Sequence, residues 1–125
     1  MRRIAFLCFL VLSLVQVASS QKLANIAGKW DVTIRWRNPS RLVKEQWTIQ
    51  QKGTDFTGMV KTDAGEHPLT FEVNDVRMRA MFEVGEMYHK VIATLDGDDL
   101  DGSLTIEAPS GQKDEYIWSA KRNKS

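Results

Sequence analysis

The chain has 125 residues, 17 Lys and Arg against 16 Asp and Glu, a formal net charge of +1, and a single cysteine, Cys8. That length suits one hydrophobic core, and a near-neutral balance gives no electrostatic case for nucleic acid. One cysteine excludes any disulfide within the chain.

Arg2 and Arg3 precede an apolar run from Ile4 to Val17, broken only by Ser13 and Gln16, and Ala18-Ser19-Ser20 follows. A positive start, a short apolar stretch and small residues predict a signal peptide over 1–20, cleaved before Gln21. The run is shorter than the roughly 20 apolar residues that span a bilayer, so no membrane span is expected after cleavage. The expected product, residues 21–125, is a single domain, secreted or periplasmic. It lacks Cys8 and carries 15 basic against 16 acidic residues. Without a thiol it has no thiolate nucleophile and no cysteine metal ligand.

Beyond Gln21 apolar residues alternate with polar ones. Trp30, Val32, Ile34 and Trp36 share one face, and Asp31, Thr33, Arg35 and Arg37 the other. This period of two marks a strand buried on one side. A second set comprises Val43, Glu45, Trp47 and Ile49; a third Phe56, Gly58 and Val60; a fourth Leu69, Phe71 and Val73. The fifth is Val76, Met78, Ala80, Phe82 and Val84, and the sixth, Met87 to Leu95, is apolar on both faces. Leu100, Gly102, Leu104 and Ile106 form the seventh, and Tyr116, Trp118 and Ala120 the eighth.

The links are short and rich in turn formers, among them Asn38-Pro39-Ser40, Lys52-Gly53-Thr54, Asn74-Asp75, Gly85-Glu86 and Asp96-Gly97-Asp98. None has room for the crossover that parallel pairing demands. Eight hairpin-linked strands predict an all-β, eight-stranded antiparallel up-and-down meander, closed into a barrel so that no edge remains. GTDFTG (Gly53 to Gly58) echoes GDDLDG (Gly97 to Gly102), with the Asn74-Asp75 turn midway, so turns recur every 22 residues. Gly58 and Gly102 fall inside strands, where glycine marks a bulge or a barrel bend.

Gly28-Lys29-Trp30, which enters the first strand after Leu23-Ala24-Asn25-Ile26, resembles the G-x-W entry of lipocalins and their calycin relatives. The resemblance implies that Trp30 plugs the closed end of the barrel beneath a short N-terminal helical turn. It further implies that Arg122, just past the last strand, packs across the indole. A partly shielded cation over that ring would add about 1–2 kcal/mol. An avidin-like barrel fits the length and hairpins equally well, but the polar set that contacts biotin in that family is not recognisable here.

With Trp30 at the base, strand alternation predicts a far rim carrying Trp36, Val43, Glu45, Val60, His67, Phe82, His89, Ile106 and Tyr116, with Trp47 and Trp118 deeper. An eight-stranded barrel is wide enough to be filled by its own side chains or to hold one small ligand. The expected ligand-binding set is Trp36, Glu45, Trp47, His67, Met78, Phe82, His89 and Tyr116, aromatic walls with a few polar groups. Gly28, Trp30 and Arg122 form the expected structural plug. No catalytic constellation is found: there is no G-x-S-x-G and no distinguishable carboxylate pair. His67, His89 and Glu45 lack a metal-ligand spacing. The cluster Asp96, Asp98, Asp99 and Asp101 departs from a calcium loop, since Leu100 holds its fifth position and glycine its seventh, although Glu107 matches the twelfth. No cofactor is expected. The sequence thus predicts a non-enzymatic exported barrel that takes a small apolar or amphipathic ligand. The alternative is a protein-binding module, such as an inhibitor of an exported hydrolase that uses residues 21–25 as its plug.

Overall fold

Each alternating segment becomes a strand in the computed structural model, which describes residues 25–36 and 41–124. They are β1 (Gly28–Arg35), β2 (Leu42–Lys52), β3 (Asp55–Thr62), β4 (Gly65–Asn74), β5 (Arg77–Val84), β6 (Met87–Asp96), β7 (Asp99–Glu107) and β8 (Lys113–Asn123). Every strand pairs antiparallel with its sequence neighbour, and β8 returns to β1 to close the barrel. The expected signal peptide and most of the candidate plug segment 21–25 lie outside the described residues. So do Leu23 and Ala24 of the expected helical turn, whose remaining Asn25 and Ile26 have no regular secondary structure.

Alternation dictates the burial. In β1, Trp30, Val32 and Ile34 are buried while Lys29, Asp31 and Arg35 are exposed. The doubly apolar β6 resolves the same way: Val91 and Ala93 face inward with His89 and Leu95, which leaves Tyr88 and Thr94 outside. Val76 departs from expectation. It sits in the turn before β5 and is 41% exposed, because Asp75 adopts φ 58° and carries the turn one residue further than the apolar pattern suggests. The Val76 carbonyl instead accepts a hydrogen bond from Leu95 N at 2.8 Å.

The recurring turn has a physical basis. Gly53, Asp75, Gly85 and Gly97 each open a two-residue hairpin loop with φ between 58° and 66°. A positive φ at the first loop position and not the second is the type II′ pattern, whose twist matches that of the flanking strands. At three of these positions glycine takes the left-handed conformation at no steric cost; Asp75 does not.

Following the register from Arg35 through Ile117, Ser103, Ile92, Arg79 and Glu72, and on past Asp55 and Lys52, returns to the first segment level with Asn25. An offset of ten residues over eight strands inclines them by about 40°, an ordinary tilt for a small barrel. The ladders run through Gly58 and Gly102 without an inserted residue, so neither glycine marks a bulge. Both mark close approach to the backbone of a neighbouring strand. A Cβ on Gly102 would overlap the Ile92 carbonyl and stand 2.6 Å from Ala93 Cα. These glycines, with Ala80, Ala93 and Ala120, narrow the wall side chains at the waist, where the Trp47 and Trp118 rings fill the bore 5.0 Å apart.

Candidate functional site at the open end of the barrel

The end where β1 begins is sealed. Trp30 is fully buried, and its Nε1 donates to Ile26 O at 2.9 Å. Arg122 lies over the indole with its guanidinium carbon 4.4 Å from the ring centroid. The same guanidinium donates through Nη1 to Ala27 O at 2.6 Å, through Nη2 to Asn25 O at 2.9 Å and through Nε to Asp98 Oδ1 at 3.0 Å. Gly28 has φ 127°, and a Cβ there would meet Arg122 Nη1 at 3.4 Å, so glycine lets the entering chain pass beside the guanidinium. Gly28, Trp30 and Arg122 therefore meet as one plug.

Asp98 was not anticipated as part of it. Its carboxylate also takes Lys124 Nζ at 2.6 Å, and the hydrogen bond from Lys124, with that from Arg122, holds it below the usual carboxylate range. The signal available was the acidic β6–β7 turn, which a meander must set beside the end of β8. Asp99 likewise pairs with Lys121 at 3.5 Å. The aspartate cluster thus reads as a hairpin turn bound to the C-terminal strand.

The opposite end carries the remaining polar interior. Register and tilt bring Glu45, Val60, His67, Phe82, His89 and Trp118 to about one level, with Trp36 and Tyr116 above it at the mouth. Glu45, Val60, His67, Phe82 and His89 are not rim residues as predicted, because the tilt carries their level below the mouth; Val60 and Phe82 are buried there, and Trp118, predicted deeper, stands level with them. Met78 is buried at the start of β5, opposite Val73 and Ala93 in the sealed half, and does not join the others.

The rings form a connected wall. Trp36 packs on Tyr116 with centroids 4.6 Å apart, Trp47 meets Trp118 at 5.0 Å, and Trp47 meets Phe82 edge-on at 6.0 Å. Phe82 is stacked against His89 at 4.6 Å and His67 at 6.5 Å, so both histidines flank one phenyl ring. No group of three or more side chains suited to hold a metal occurs among the described residues. Trp47 Nε1 donates to Glu45 Oε1 at 3.1 Å. Burial pushes the Glu45 carboxyl above its usual range against the opposing effect of that bond. Burial, aided by repulsion from His67, pushes His89 below the usual imidazole range. Among the described residues, three buried side-chain nitrogens have no hydrogen-bond partner: Trp36 Nε1, Trp118 Nε1 and His89 Nδ1.

The wall is also split. The β4–β5 ladder stops at Thr70 and Met81, leaving Pro68, which has no N–H to give, opposite unpaired β5 chain. A cleft of about 370 Å³ lined by Pro68, Thr70, Met81, Phe82, Glu83 and Tyr88 opens there.

Comparison with known protein families, curated proteins and solved structures finds no match to this chain.

Proposed function

We propose that this protein is an exported, non-enzymatic carrier that takes a small apolar or amphipathic molecule through the open end. The observation that carries this reading is the set of buried, unpartnered nitrogens on Trp36, Trp118 and His89 at the same end of the barrel as the partly buried Glu45 carboxyl. Buried polar groups are nearly always paired, so an unpaired set at one end marks where an outside partner completes the hydrogen bonding. The indole plug joining Gly28, Trp30 and Arg122 supports a calycin-like relationship, in which the base is structural and the mouth takes the ligand. Apolar burial would supply the affinity, about 25 cal/mol per Å² covered. Titrating intrinsic tryptophan fluorescence with fatty acids, sterols and aromatic metabolites tests this. Saturable quenching or a blue shift with at least one class supports the carrier; a flat response to every class removes it.

The second reading, docking of an exported protein, draws on Met59 and Tyr88, 41% and 37% exposed on the outer wall near the β4–β5 split. Binding of a secreted hydrolase that disappears in a Met59→Lys, Tyr88→Lys variant would favour it over the carrier.

A further inference from the structure

We infer that the open-end site selects an uncharged head group that presents a carbonyl acceptor together with an N–H donor, as a primary or secondary amide does. This rests on the carrier reading and specifies its ligand.

The polar inventory of this end is unbalanced. An indole nitrogen donates and never accepts, so Trp36 and Trp118 offer two buried N–H groups that only an acceptor can satisfy. Trp118 is 1% exposed, which leaves solvent no access to its nitrogen. His89 Nδ1 adds a third unpaired site, donor or acceptor by tautomer. The acceptor-rich carboxyl of Glu45, with Trp47 Nε1 on Oε1, stands on β2, one strand from Trp36 and two from Trp118. A group that carries a carbonyl and an N–H together matches both.

Charge excludes the two alternatives. Among the described residues of the open half, the inward positions Ile34, Val43, Glu45, Val60, Thr62, His67, Phe82, Val84, His89, Ile106, Tyr116 and Trp118 include no lysine or arginine. Arg41 lies over the Trp36 ring at the mouth, 5.1 Å from its centroid. Asp114 shares the inward face of β8 at the rim. A carboxylate head would enter a layer with an acidic neighbour and no buried cation to neutralise it. An ammonium head would gain Glu45 and the aromatic faces, but it cannot accept from either indole and would bury both donors unpaired.

The test is calorimetric titration of the mature protein with para-butylbenzamide, para-butylbenzoate and para-butylbenzylamine, one apolar body with three heads. The amide should bind about tenfold or more tighter than either charged analogue, the difference made by one or two buried hydrogen bonds. Trp118→Phe keeps the ring and removes the donor, and should remove most of that preference. Glu45→Gln still accepts from Trp47, retains the amide, and relaxes exclusion of the benzoate. Benzoate or benzylamine binding as tightly as the amide overturns the inference while the carrier stands. No binding by any of the three overturns the inference, and with a flat fluorescence screen the carrier as well.

Discussion

Truncating Arg122 to alanine removes four contacts at once, and their sum can be worked from the geometry. The guanidinium lies 4.4 Å from the Trp30 ring centroid and is largely shielded from water, which contributes about 1–2 kcal/mol. The bonds to Ala27 O and Asn25 O tie the entering chain to the end of β8 and add about 1 kcal/mol each. The pair with Asp98 lies in solvent and receives no weight. The total is about 3–4 kcal/mol, a large share of the roughly 5–15 kcal/mol that stabilises a domain of this size. Midpoint temperature should fall by roughly 15 °C. Arg122→Lys keeps a cation but loses the planar fork, and should cost about half as much. A double-mutant cycle with Trp30→Leu, read by urea unfolding under circular dichroism, should return a coupling of about 1–2 kcal/mol. An Arg122→Ala loss below about 1 kcal/mol, or a coupling near zero, would refute the plug as a source of stability.

Three further perturbations probe separate parts of the structure. Asp75→Gly relieves a left-handed aspartate at a turn whose counterparts are glycine, and should stabilise by about 0.5–1 kcal/mol in thermal unfolding. Gly102→Ala forces a methyl into the β6 backbone and should cost at least about 3 kcal/mol or prevent folding, which circular dichroism would register. Glu45 has a raised folded-state pKa, so its contribution is fully present below the unfolded value and is lost as pH rises through the folded one. Stability of Glu45→Gln should therefore gain on the parent as pH rises above the ordinary glutamate value of about 4.3, a trend that denaturant titrations at increasing pH would reveal. His89 has the opposite sign: its lowered pKa makes its contribution present above the unfolded value and lost as pH falls through the folded one.

The barrel was legible because period-two burial and two-residue turns are local signals, and each had one topological solution. Trp30, Val32 and Ile34 could face only one way once β1 was a strand. Val76 misled because an apolar residue in a turn looks like the first residue of a strand, and only the backbone of Asp75 distinguishes the two. The sealed and open ends followed from Gly28, Trp30 and Arg122, but residue levels did not, since tilt depends on register that no single strand encodes. That is why Glu45, Val60, His67, Phe82 and His89 are expected at the rim and Met78 in one ligand-binding set with them. The stacking of both histidines on Phe82, the partnerless indole nitrogens and the β4–β5 split depend on side chains from different strands. No local pattern announces them.

The four indole N–H resonances of the protein, assigned in a proton–nitrogen correlation spectrum, report on the open-end site most directly. Saturation with para-butylbenzamide should move Trp36 and Trp118 downfield as their donors are engaged, while Trp30, already bonded to Ile26 O at the sealed end, stays in place. A spectrum in which Trp36 and Trp118 remain fixed under every ligand class, or in which Trp30 alone responds, would contradict a ligand-binding mouth above a structural base.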